Sequence, residues 1–490
     1  MTKEGTGKTM RDARWARWLV LLLLSQVTLI AFLFTDLLSP LKSVLERDLL
    51  WDATTFGTYS GSSYFLNVFA GFLVFAGFIV DSLGLRGGTR IAGGIMLLGA
   101  WLEFYGLTDT FRASALHGWL GGWWTSMPPT AKMASLGLTL FGCGAAMMAV
   151  VVTKALVKWF GEREIATAMS LQMATTRIGM ALAAFAGVYI YAWDLLPGAQ
   201  IAQPVLMGSL LLVLGVAGGW AFCAFDRRLD LELGDREVHR GAPIRLATIT
   251  QLLRNRAYLL IALFVLIYYM GVFPFQKFAV DMLHHQLGMS EMRVGLIFSL
   301  YPIGAALVTP LFGMLLDRRG YGLTMCIVGS GCMMSGHAIF AFLPPGQVGM
   351  SLAIVGILLQ ALSLGLVTAS IWPLLPRVVR IENFGTSLSL IFWIENWGLF
   401  GGPVAIGRLL DATNLSPAEI RTLERAGQAI PPTNYQPSML CFVAIGLLAT
   451  ATAAWMWRED RRRGWGMEKR KTAQPGPQAR GAHPERLERL

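Results

Sequence analysis

The sequence predicts an all-α membrane protein with twelve transmembrane helices in two six-helix halves. Three observations lead to this fold class. Of the 490 residues, 54% are hydrophobic and only 14% are charged, against about 25% charged in an ordinary soluble protein. Apolar stretches of roughly 18–25 residues, each long enough to cross a bilayer as a helix, recur along the chain. A long, charged segment at 226–256 divides these stretches six and six.

The apolar stretches set the bounds of the predicted crossings. They are 18–38, 57–80, 88–107, 136–158, 165–189, 205–225, 257–280, 294–316, 323–343, 349–373, 386–407 and 438–457. No small-residue cleavage site follows the first crossing, so we expect it to be retained and not removed as a signal peptide. The expected domains are a cytoplasmic tail at 1–17, six-helix bundles at 18–225 and 257–457, a cytoplasmic central loop at 226–256 and a disordered basic tail at 458–490.

The basic residues orient the chain in the membrane. With the N-terminus inside, about three quarters of the 41 Lys and Arg residues fall in segments on the inner side. This bias predicts that both termini are cytoplasmic, and it accounts for the net charge of +11 without a nucleic-acid partner. The predicted partner is therefore the lipid bilayer. The five cysteines all lie in predicted helices, so we expect no disulfide framework, no metal site and no cofactor.

Two internal repeats relate the halves. The stretches 77–86 and 313–322 read GFIVDSLGLR and GMLLDRRGYG, and both contain the pattern G-x-x-x-D-x-x-G at the inner end of a predicted helix. In the fifth and eleventh crossings, ATAMSLQMATTRIG at 166–179 aligns without gaps on GTSLSLIFWIENWG at 385–398. Many transporters are built from such repeats, with the solute site between the halves near the membrane midplane.

The duplicated G-x-x-x-D-x-x-G loops resemble the signature of the major facilitator superfamily. The resemblance implies that each loop aspartate caps a helix and pairs with a basic residue, which holds the cytoplasmic face shut. Asp81 would pair with Arg86 or Arg90, and Asp317 with Arg318 or Arg319; the alternative is that both loops are merely tight polar turns. The cytoplasmic gate is accordingly expected at Gly77, Asp81, Gly84, Arg86, Arg90, Gly313, Asp317, Arg318 and Arg319.

A closer resemblance extends over nearly the whole chain. It rests on the strings SPLKSVLERDL, WFGEREIATAMSLQMATTRIG, YYMGVFPF, ASIWPLLP and FGTSLSLIFWIENWG, in this order. These strings resemble the branch of major facilitator superfamily domain-containing protein 1, which includes lysosomal transporters of short peptides and bacterial relatives. The resemblance implies a carrier of dipeptide-like solutes that works by alternating access, as a symporter or a uniporter. We expect a monomer in a bacterial inner membrane.

Arg177 is the leading candidate for solute binding. It lies near the centre of an apolar helix, where an unpaired cation costs about 2.5 kcal/mol or more. Its planar guanidinium can hold a carboxylate through two parallel hydrogen bonds, which lysine does less well. The alternative is a permanent structural ion pair inside the bundle. The branch has an arginine at the matching position, which favours the solute-binding interpretation.

Glu395 lies in the middle of the eleventh crossing, beside the repeat counterpart of Arg177. If it is desolvated and unpaired, it could carry protons, and it could also receive a solute ammonium group. A fixed buried hydrogen-bond acceptor is an equally open interpretation. Asn396 adds a donor and an acceptor on the same helical turn.

Asp36, near the outer end of the first crossing, is a candidate for attracting a solute amine, although a solvated helix end explains it equally well. The branch also has an aspartate there, followed by a proline that is Leu38 in this chain. In the fourth crossing the branch has an acidic residue where this chain has Ala146. A zwitterionic dipeptide needs a negative partner for its amine. Glu395 or Asp36 would have to replace the missing acid, or the solute is a simple organic anion.

Aromatic residues complete the predicted pocket. Tyr268 and Tyr269 lie in the seventh crossing, whose internal proline permits a kink of the kind that lines transporter cavities. Trp372 and Trp393 could form aromatic walls, although interfacial or simple packing is the common role of tryptophan in membrane proteins. Glu103 is expected to be packed or hydrogen-bonded and not to relay protons.

Other function classes remain as alternatives to a dipeptide carrier. A carrier of small organic anions and an exporter of drugs or metabolites belong to the same class, and a transporter-like sensor or scaffold belongs to another. No metalloprotease motif, nucleophile elbow or phosphate-binding loop is present, so the chain is not predicted to be an enzyme.

Overall fold

The structure, a computed structural model of the chain, describes residues 9–193, 195, 199–233, 246–380 and 383–468. Within these ranges the regular secondary structure is helical, and no β-strand occurs. Most of the tail predicted to be disordered, much of the predicted central loop and the first half of the N-terminal tail lie outside the described residues.

The α-helices alternate with short connections. In the first half they are α1 (Arg14–Asp36), α2 (Lys42–Leu49), α3 (Ala53–Ser62), α4 (Phe65–Phe69), α5 (Phe72–Gly106), α6 (Asp109–Arg112), α7 (Ala115–Gly121), α8 (Pro129–Tyr191) and α9 (Gln203–Leu233). In the second half they are α10 (Leu246–Arg254), α11 (Arg256–Leu287), α12 (Glu291–Phe298), α13 (Leu300–Arg319), α14 (Gly322–Ala341), α15 (Gly346–Val378), α16 (Phe384–Thr413), α17 (Pro417–Arg425) and α18 (Gln436–Arg463). Short 3-10 helices occur at Met10–Asp12, Ser39–Leu41 and Gln200–Ala202.

The twelve-helix prediction is confirmed. Nine helices in the described part of the chain are long and apolar enough to cross a membrane. The other three predicted crossings also coincide with helical chain, but they are interrupted or more polar. The stretch 57–80 is divided among α3, α4 and α5, whereas 88–107 and 386–407 contain the carboxylates of Glu103 and Glu395.

Helix α8 contains two of the predicted crossings. At its start, Thr130 accepts a hydrogen bond of 3.0 Å from the indole of Trp51. At its end, Tyr191 donates to Asp48 at 3.3 Å, so both ends of α8 lie beside the same short segment of chain. Both ends of this 63-residue helical run are therefore at the same end of the molecule, so the chain must reverse direction within it. The reversal lies at 161–166, between the two membrane spans.

The two signature loops share a backbone feature. Gly84 and Gly320, the last glycines of the two G-x-x-x-D-x-x-G patterns, have φ angles of 70° and 82°. L-residues with a side chain rarely adopt such angles, so glycine is the residue that each loop requires. The internal repeat found in the sequence is therefore also a repeat of backbone conformation.

Two six-helix bundles pack side by side, and their first helices, α1 and α11, run parallel. Asp36, the last residue of α1, forms an ion pair with Lys277, which lies near the end of α11. The starts of both helices, at Arg14 and Arg256, therefore lie at the opposite end of the molecule. The end of α18 is there too, because Glu459 lies 3.6 Å from Arg256. We call this end the terminal end and the other the distal end.

The second crossing is broken near its centre. Helix α4 ends at Phe69, and Gly71 adopts a left-handed backbone with φ of 61° before α5 begins. On the distal side of this break, α3 packs closely against α16 of the other bundle. On the terminal side the crossing diverges from α16, and Phe75 and Phe78 are about half exposed. The bundles therefore meet at the distal end and separate towards the terminal end.

Glycines bring α3 and α16 into backbone contact at the distal end. A Cβ atom on Gly57 would lie 2.2 Å from the carbonyl oxygen of Pro403. A Cβ atom on Gly407 would lie 2.2 Å from the carbonyl oxygen of Ala53. Only residues without a side chain permit this approach, so the contact depends on backbone packing.

Candidate solute-binding site

Arg177 lies half-buried in the second span of α8, at the face of the first bundle that meets the second. Its Nη1 atom lies 3.7 Å from the sulfur of Met180. No carboxylate of the described residues lies within 4.0 Å of its guanidinium. It is within electrostatic range of the hydroxyls of Tyr268, Tyr269 and Tyr301, all from the second bundle. The cation therefore faces the other bundle without a permanent counter-ion in the described part of the chain.

Glu395, in the middle of α16, is the corresponding unpaired anion of the second bundle. Its side chain is 8% exposed, and its Oε2 atom is buried without a hydrogen-bond partner among the described residues. It does not form an ion pair with Arg177. Asn396 is buried on the same turn, at 7% exposure.

Tyr269 is a common neighbour of these two charges. It is within electrostatic range of both Glu395 and Arg177, and its ring stacks on Phe273 with a centroid distance of 5.5 Å. Trp372 contacts the same tyrosine at 6.2 Å between ring centroids. The structure therefore places a cation, an anion and Trp372, all predicted site residues, around Tyr269.

The other two predicted aromatic residues have contacts of their own. The hydroxyl of Tyr268 is buried and lies 2.8 Å from the hydroxyl of Ser363, so it links two helices of the second bundle. The indole nitrogen of Trp393 donates to the carbonyl oxygen of Val68 at 2.9 Å. Val68 belongs to α4, beside the break in the second crossing, where a helix leaves carbonyl groups unpaired. Trp393 therefore joins the bundles and supplies a donor to the broken helix.

Asp36 is held by a residue that the sequence did not identify. Lys277, buried within α11, forms an ion pair with the Asp36 carboxylate and also donates to the carbonyl oxygen of Thr35 at 3.1 Å. One lysine in an apolar run gives no sign of which helix face it occupies, so the sequence analysis did not identify Lys277 as a partner of Asp36. The pair crosses the bundle interface on the distal side of Arg177.

A small cavity of about 20 Å³, enough for roughly one water molecule, lies next to this pair, between the bundles. Asp36 and Met180 line it from the first bundle, and Gln276 and Tyr301 line it from the second. Gln276 donates to the hydroxyl of Tyr301 at 2.9 Å. Met180 also contacts Arg177, so one side chain separates the arginine from this cavity.

At the terminal end, the first signature loop has partners other than those expected. Asp81 forms its ion pair with Lys154 of α8, and not with Arg86 or Arg90. Arg86 instead lies 3.3 Å from Asp230 at the end of α9. The physical reason is the turn at the last glycine of the loop, which directs the chain after it towards α9 and leaves the aspartate facing α8. These contacts all lie within the first bundle.

The second signature loop has no such pair. Asp317 is exposed, as are Arg318 and Arg319, and none of them forms an ion pair with another described residue. Asp317 is instead within electrostatic range of Arg377, whose guanidinium donates to carbonyl oxygens of the segment after α18. In this conformation neither aspartate bridges the bundles, which agrees with their separation at the terminal end.

A buried charged cluster closes the distal end. Lys42 of α2 lies 3.1 Å from Asp281 of α11, and both side chains are almost completely buried. His285 and Tyr435 contact the same aspartate from the second bundle. Sequence reasoning missed this cluster because Lys42 and Tyr435 are far from Asp281 in the chain, and no repeat or motif connects them with it.

Asp411 adds a cap between the bundles. Its two carboxylate oxygens accept hydrogen bonds from the backbone amides of Ala53 at 2.9 Å and Thr54 at 2.7 Å. These amides form the N-terminus of α3, where a negative charge is favourable. Asp52 caps the same helix from within its own bundle, by accepting from Thr55 at 2.7 Å.

Replacing Asp411 with asparagine is expected to weaken the closed distal end by about 0.5–1.5 kcal/mol, because the side-chain amide has one acceptor oxygen in place of two and one hydrogen bond is lost. The measurement is the distance between spin labels on Thr110→Cys and Gln428→Cys, in a chain whose native cysteines are replaced. Both positions are exposed at the distal end, one on each bundle. We call this the distal spin-label distance, and the Asp411→Asn chain should populate longer distances.

The control for this prediction is Asp52→Ala, which removes the acceptor of the Thr55 amide at a cost of about 0.5–2 kcal/mol. It weakens the cap of the same helix by a similar amount, but it removes no contact between the bundles. Its distal spin-label distance should match that of the parent chain, although its melting temperature falls. Equal distance distributions in the two variants would mean that Asp411 stabilises only α3.

Comparisons with known proteins place this geometry in context. Residues 24–403 match the family model described as Major Facilitator Superfamily. The chain is 24% identical to the human lysosomal dipeptide transporter MFSD1 over 402 residues, which are 81% of this chain and 80% of that protein. It is 23% identical to the mouse protein of the same name over 380 residues, 76% of each.

Solved transporter structures share the fold at low sequence identity. The nucleoside transporter NupG superposes with a TM-score of 0.64 at 14% identity, over 90% of this chain and 99% of that one. A bacterial homologue of the human lysosomal transporter Spinster, inward-facing and unoccupied, gives 0.64 at 14%, over 93% and 99%. The xylose transporter XylE from E. coli gives 0.63 at 12%, over 90% and 99%. With the family model covering most of its length and two six-helix bundles around a central cavity, the chain belongs to the major facilitator superfamily.

Proposed function

We propose that the protein transports small carboxylate-bearing solutes, dipeptides first, across the bacterial inner membrane by alternating access. The observation that carries this proposal is the pair of unmatched charges at the bundle interface, Arg177 and Glu395, which share Tyr269 as a neighbour. A zwitterion of the length of a dipeptide carries the complementary pair. In this assignment the terminal end faces the cytoplasm, and the transporter acts as a monomer.

The carboxylate of the solute binds Arg177. A buried cation without a counter-ion is costly in a membrane, and an arriving carboxylate removes that cost through two parallel hydrogen bonds to the guanidinium. Tyr269 and Trp372 flank the site with aromatic surface, which accommodates side chains of different shape. Only the two charged ends of a dipeptide are then recognised specifically, and its side chains contact aromatic surface. Such a site is expected to bind many dipeptides and not one compound.

The ammonium group of the solute binds Glu395. Ala146, in the position where related transporters have an acid, offers no negative charge, and Asp36 is already paired with Lys277. Glu395 has a buried oxygen without a donor among the described residues, and it lies on the bundle opposite Arg177. A dipeptide held at both ends would thus connect the two bundles, so its binding favours conformations in which they approach each other.

A panel of solutes tests this proposal. In liposomes, counterflow and the melting temperature are measured with a dipeptide, the same dipeptide acetylated at its amine, and the same dipeptide amidated at its carboxylate. A ligand that binds only the folded protein raises its melting temperature. The free dipeptide should exchange and stabilise, and both blocked forms should lose at least about tenfold in affinity, since each loses a charge-assisted contact of about 1.5–3 kcal/mol.

Glu395→Gln assigns the amine site. The variant should bind the free and the acetylated dipeptide equally, whereas Glu424→Gln, on the exposed surface of α17, should keep the preference of the parent chain. A preference for the free amine that persists in Glu395→Gln would overturn the assignment of the ammonium group to this residue.

Small organic anions are the second candidate class, and Ala146 is the observation that favours them. A site with one cation and a neutralised Glu395 would accept a monocarboxylate without an amine. If the acetylated dipeptide and simple carboxylates exchange as well as the free dipeptide in the parent chain, this class replaces dipeptides. If no carboxylate binds, the proposal of a carboxylate carrier fails.

A further inference from the structure

Glu103 is a buried carboxylate that solute binding does not use. It lies on α5 within the first bundle and is 1% exposed. The hydroxyl of Tyr59, on α3, donates to its Oε1 atom at 2.5 Å. Its Oε2 atom is buried and has no hydrogen-bond partner among the described residues. An ionised carboxylate can accept about four hydrogen bonds, so this environment does not satisfy the charged form.

A single cation of the second bundle faces Glu103 and one other carboxylate. Lys277, on α11, forms its ion pair with Asp36 of α1 and is also within electrostatic range of Glu103. Tyr59 is within range of both carboxylates. On the side of α8, the backbone of Gly137 packs directly against Glu103, where a Cβ atom would lie 2.4 Å from the Glu103 amide nitrogen. The site thus combines two acids of the first bundle with a lysine of the second.

The charges of this site balance only when one acid is protonated. With Asp36, Glu103 and Lys277 all ionised, a net charge of −1 would be buried in the membrane, which is costly. Asp36 is in direct contact with the lysine, whereas Glu103 is not. The proton therefore belongs on Glu103, on the oxygen that has no donor, and the site becomes neutral.

We propose that Glu103 is a proton-binding site whose occupation stabilises the closed distal end. When the distal end opens, α11 carries Lys277 away from the first bundle, and water reaches the two acids it leaves behind. Glu103 then releases its proton at little cost, because its anion is hydrated. The closed conformation binds one proton more than the open one, so lower pH favours closure and higher pH favours opening. This deepens the proposed transport function, because a proton would then accompany the conformational cycle.

The distal spin-label distance measured against pH, without any solute, tests the proposal in the full chain reconstituted in liposomes. The open population of the parent chain should rise with pH, by up to about tenfold per pH unit. Glu103→Gln mimics the protonated form, keeps an acceptor for Tyr59 and should stay closed at every pH. Infrared spectroscopy should show a protonated carboxyl band that titrates in the parent chain and is absent from this variant.

Two further variants keep the test decisive. In Asp36→Asn, Glu103 is the one remaining acid of this three-residue site and balances the charge of Lys277. Glu103 should then ionise, and the pH response should disappear. His285→Gln removes the histidine that contacts Asp281 in the buried charged cluster and should leave the response intact. A Glu103→Gln chain with the parent's pH response, or a parent chain without one, overturns the proposal. These measurements need no solute, so a negative result from the solute panel would not affect them. A negative result here would likewise leave the proposed solute binding untouched.

Discussion

Arg177→Ala is expected to lower the affinity for a carboxylate solute by about 100-fold or more, while the melting temperature of the solute-free protein stays the same or rises. Two charge-assisted hydrogen bonds, each worth about 1.5–3 kcal/mol, are lost with the guanidinium. Stability does not fall, because the arginine has no counter-ion among the described residues that would be left unpaired. Affinity is measured by the shift of the melting temperature with dipeptide concentration, and transport by counterflow.

Two variants sharpen this prediction. Arg177→Lys retains the charge but lacks the planar fork, so it should recover only part of the affinity. Arg112→Ala, which breaks an ion pair with Asp109 on the distal surface, is the matched control and should bind solute normally. If Arg177→Ala instead lowered stability by the 3–5 kcal/mol expected for a broken buried ion pair, the arginine would be structural.

The second large effect is expected at the glycines between α3 and α16. Gly407→Ala places a methyl group where the carbonyl oxygen of Ala53 lies, and Gly57→Ala does the same against Pro403. Overpacking of this kind costs about 1–3 kcal/mol. The closed conformation is destabilised relative to the open one, because α3 and α16 are in contact only when the distal end is closed. Both variants should shift the distal spin-label distance to longer values, with a change in the ratio of closed to open molecules of about tenfold.

Helix α16 offers a matched control. Gly401 lies six residues before Gly407, and a Cβ atom there would meet nothing within 4 Å. Gly401→Ala should therefore leave the distance distribution unchanged, although it introduces the same residue on the same helix. A shift of equal size in Gly401→Ala would show that helix propensity, and not the contact between the bundles, explains the effect.

The fold was predictable because each of its signals is local in the sequence. The length of an apolar stretch identifies a crossing, and the last glycine of each signature loop indicates a positive φ angle at that position. The candidate site was predictable in part for the same reason: Arg177 and Glu395 are conspicuous because a charge in an apolar helix is unusual. Their common neighbour, Tyr269, followed from its position in the kinked seventh crossing.

The ion pairs were not predictable, because they depend on which helix faces meet in space. Asp81 has two arginines nearby in the sequence, yet its partner is Lys154, which comes from another helix. Lys277 gave no signal at all, since one lysine near the end of an apolar run has the same appearance whether it is solvated or buried. Glu103 was expected to be packed or hydrogen-bonded, and it is both, but the second acid that shares its cation could be found only in three dimensions.

The break at Gly71 has a consequence for how the carrier avoids leaking. Because the second crossing is two helices joined at a bend, its terminal piece can swing towards α16 while its distal piece stays packed against that helix. The terminal end can thus close before the distal contacts separate. This order of movements would give an intermediate in which the solute is enclosed on both sides and contacts neither solution.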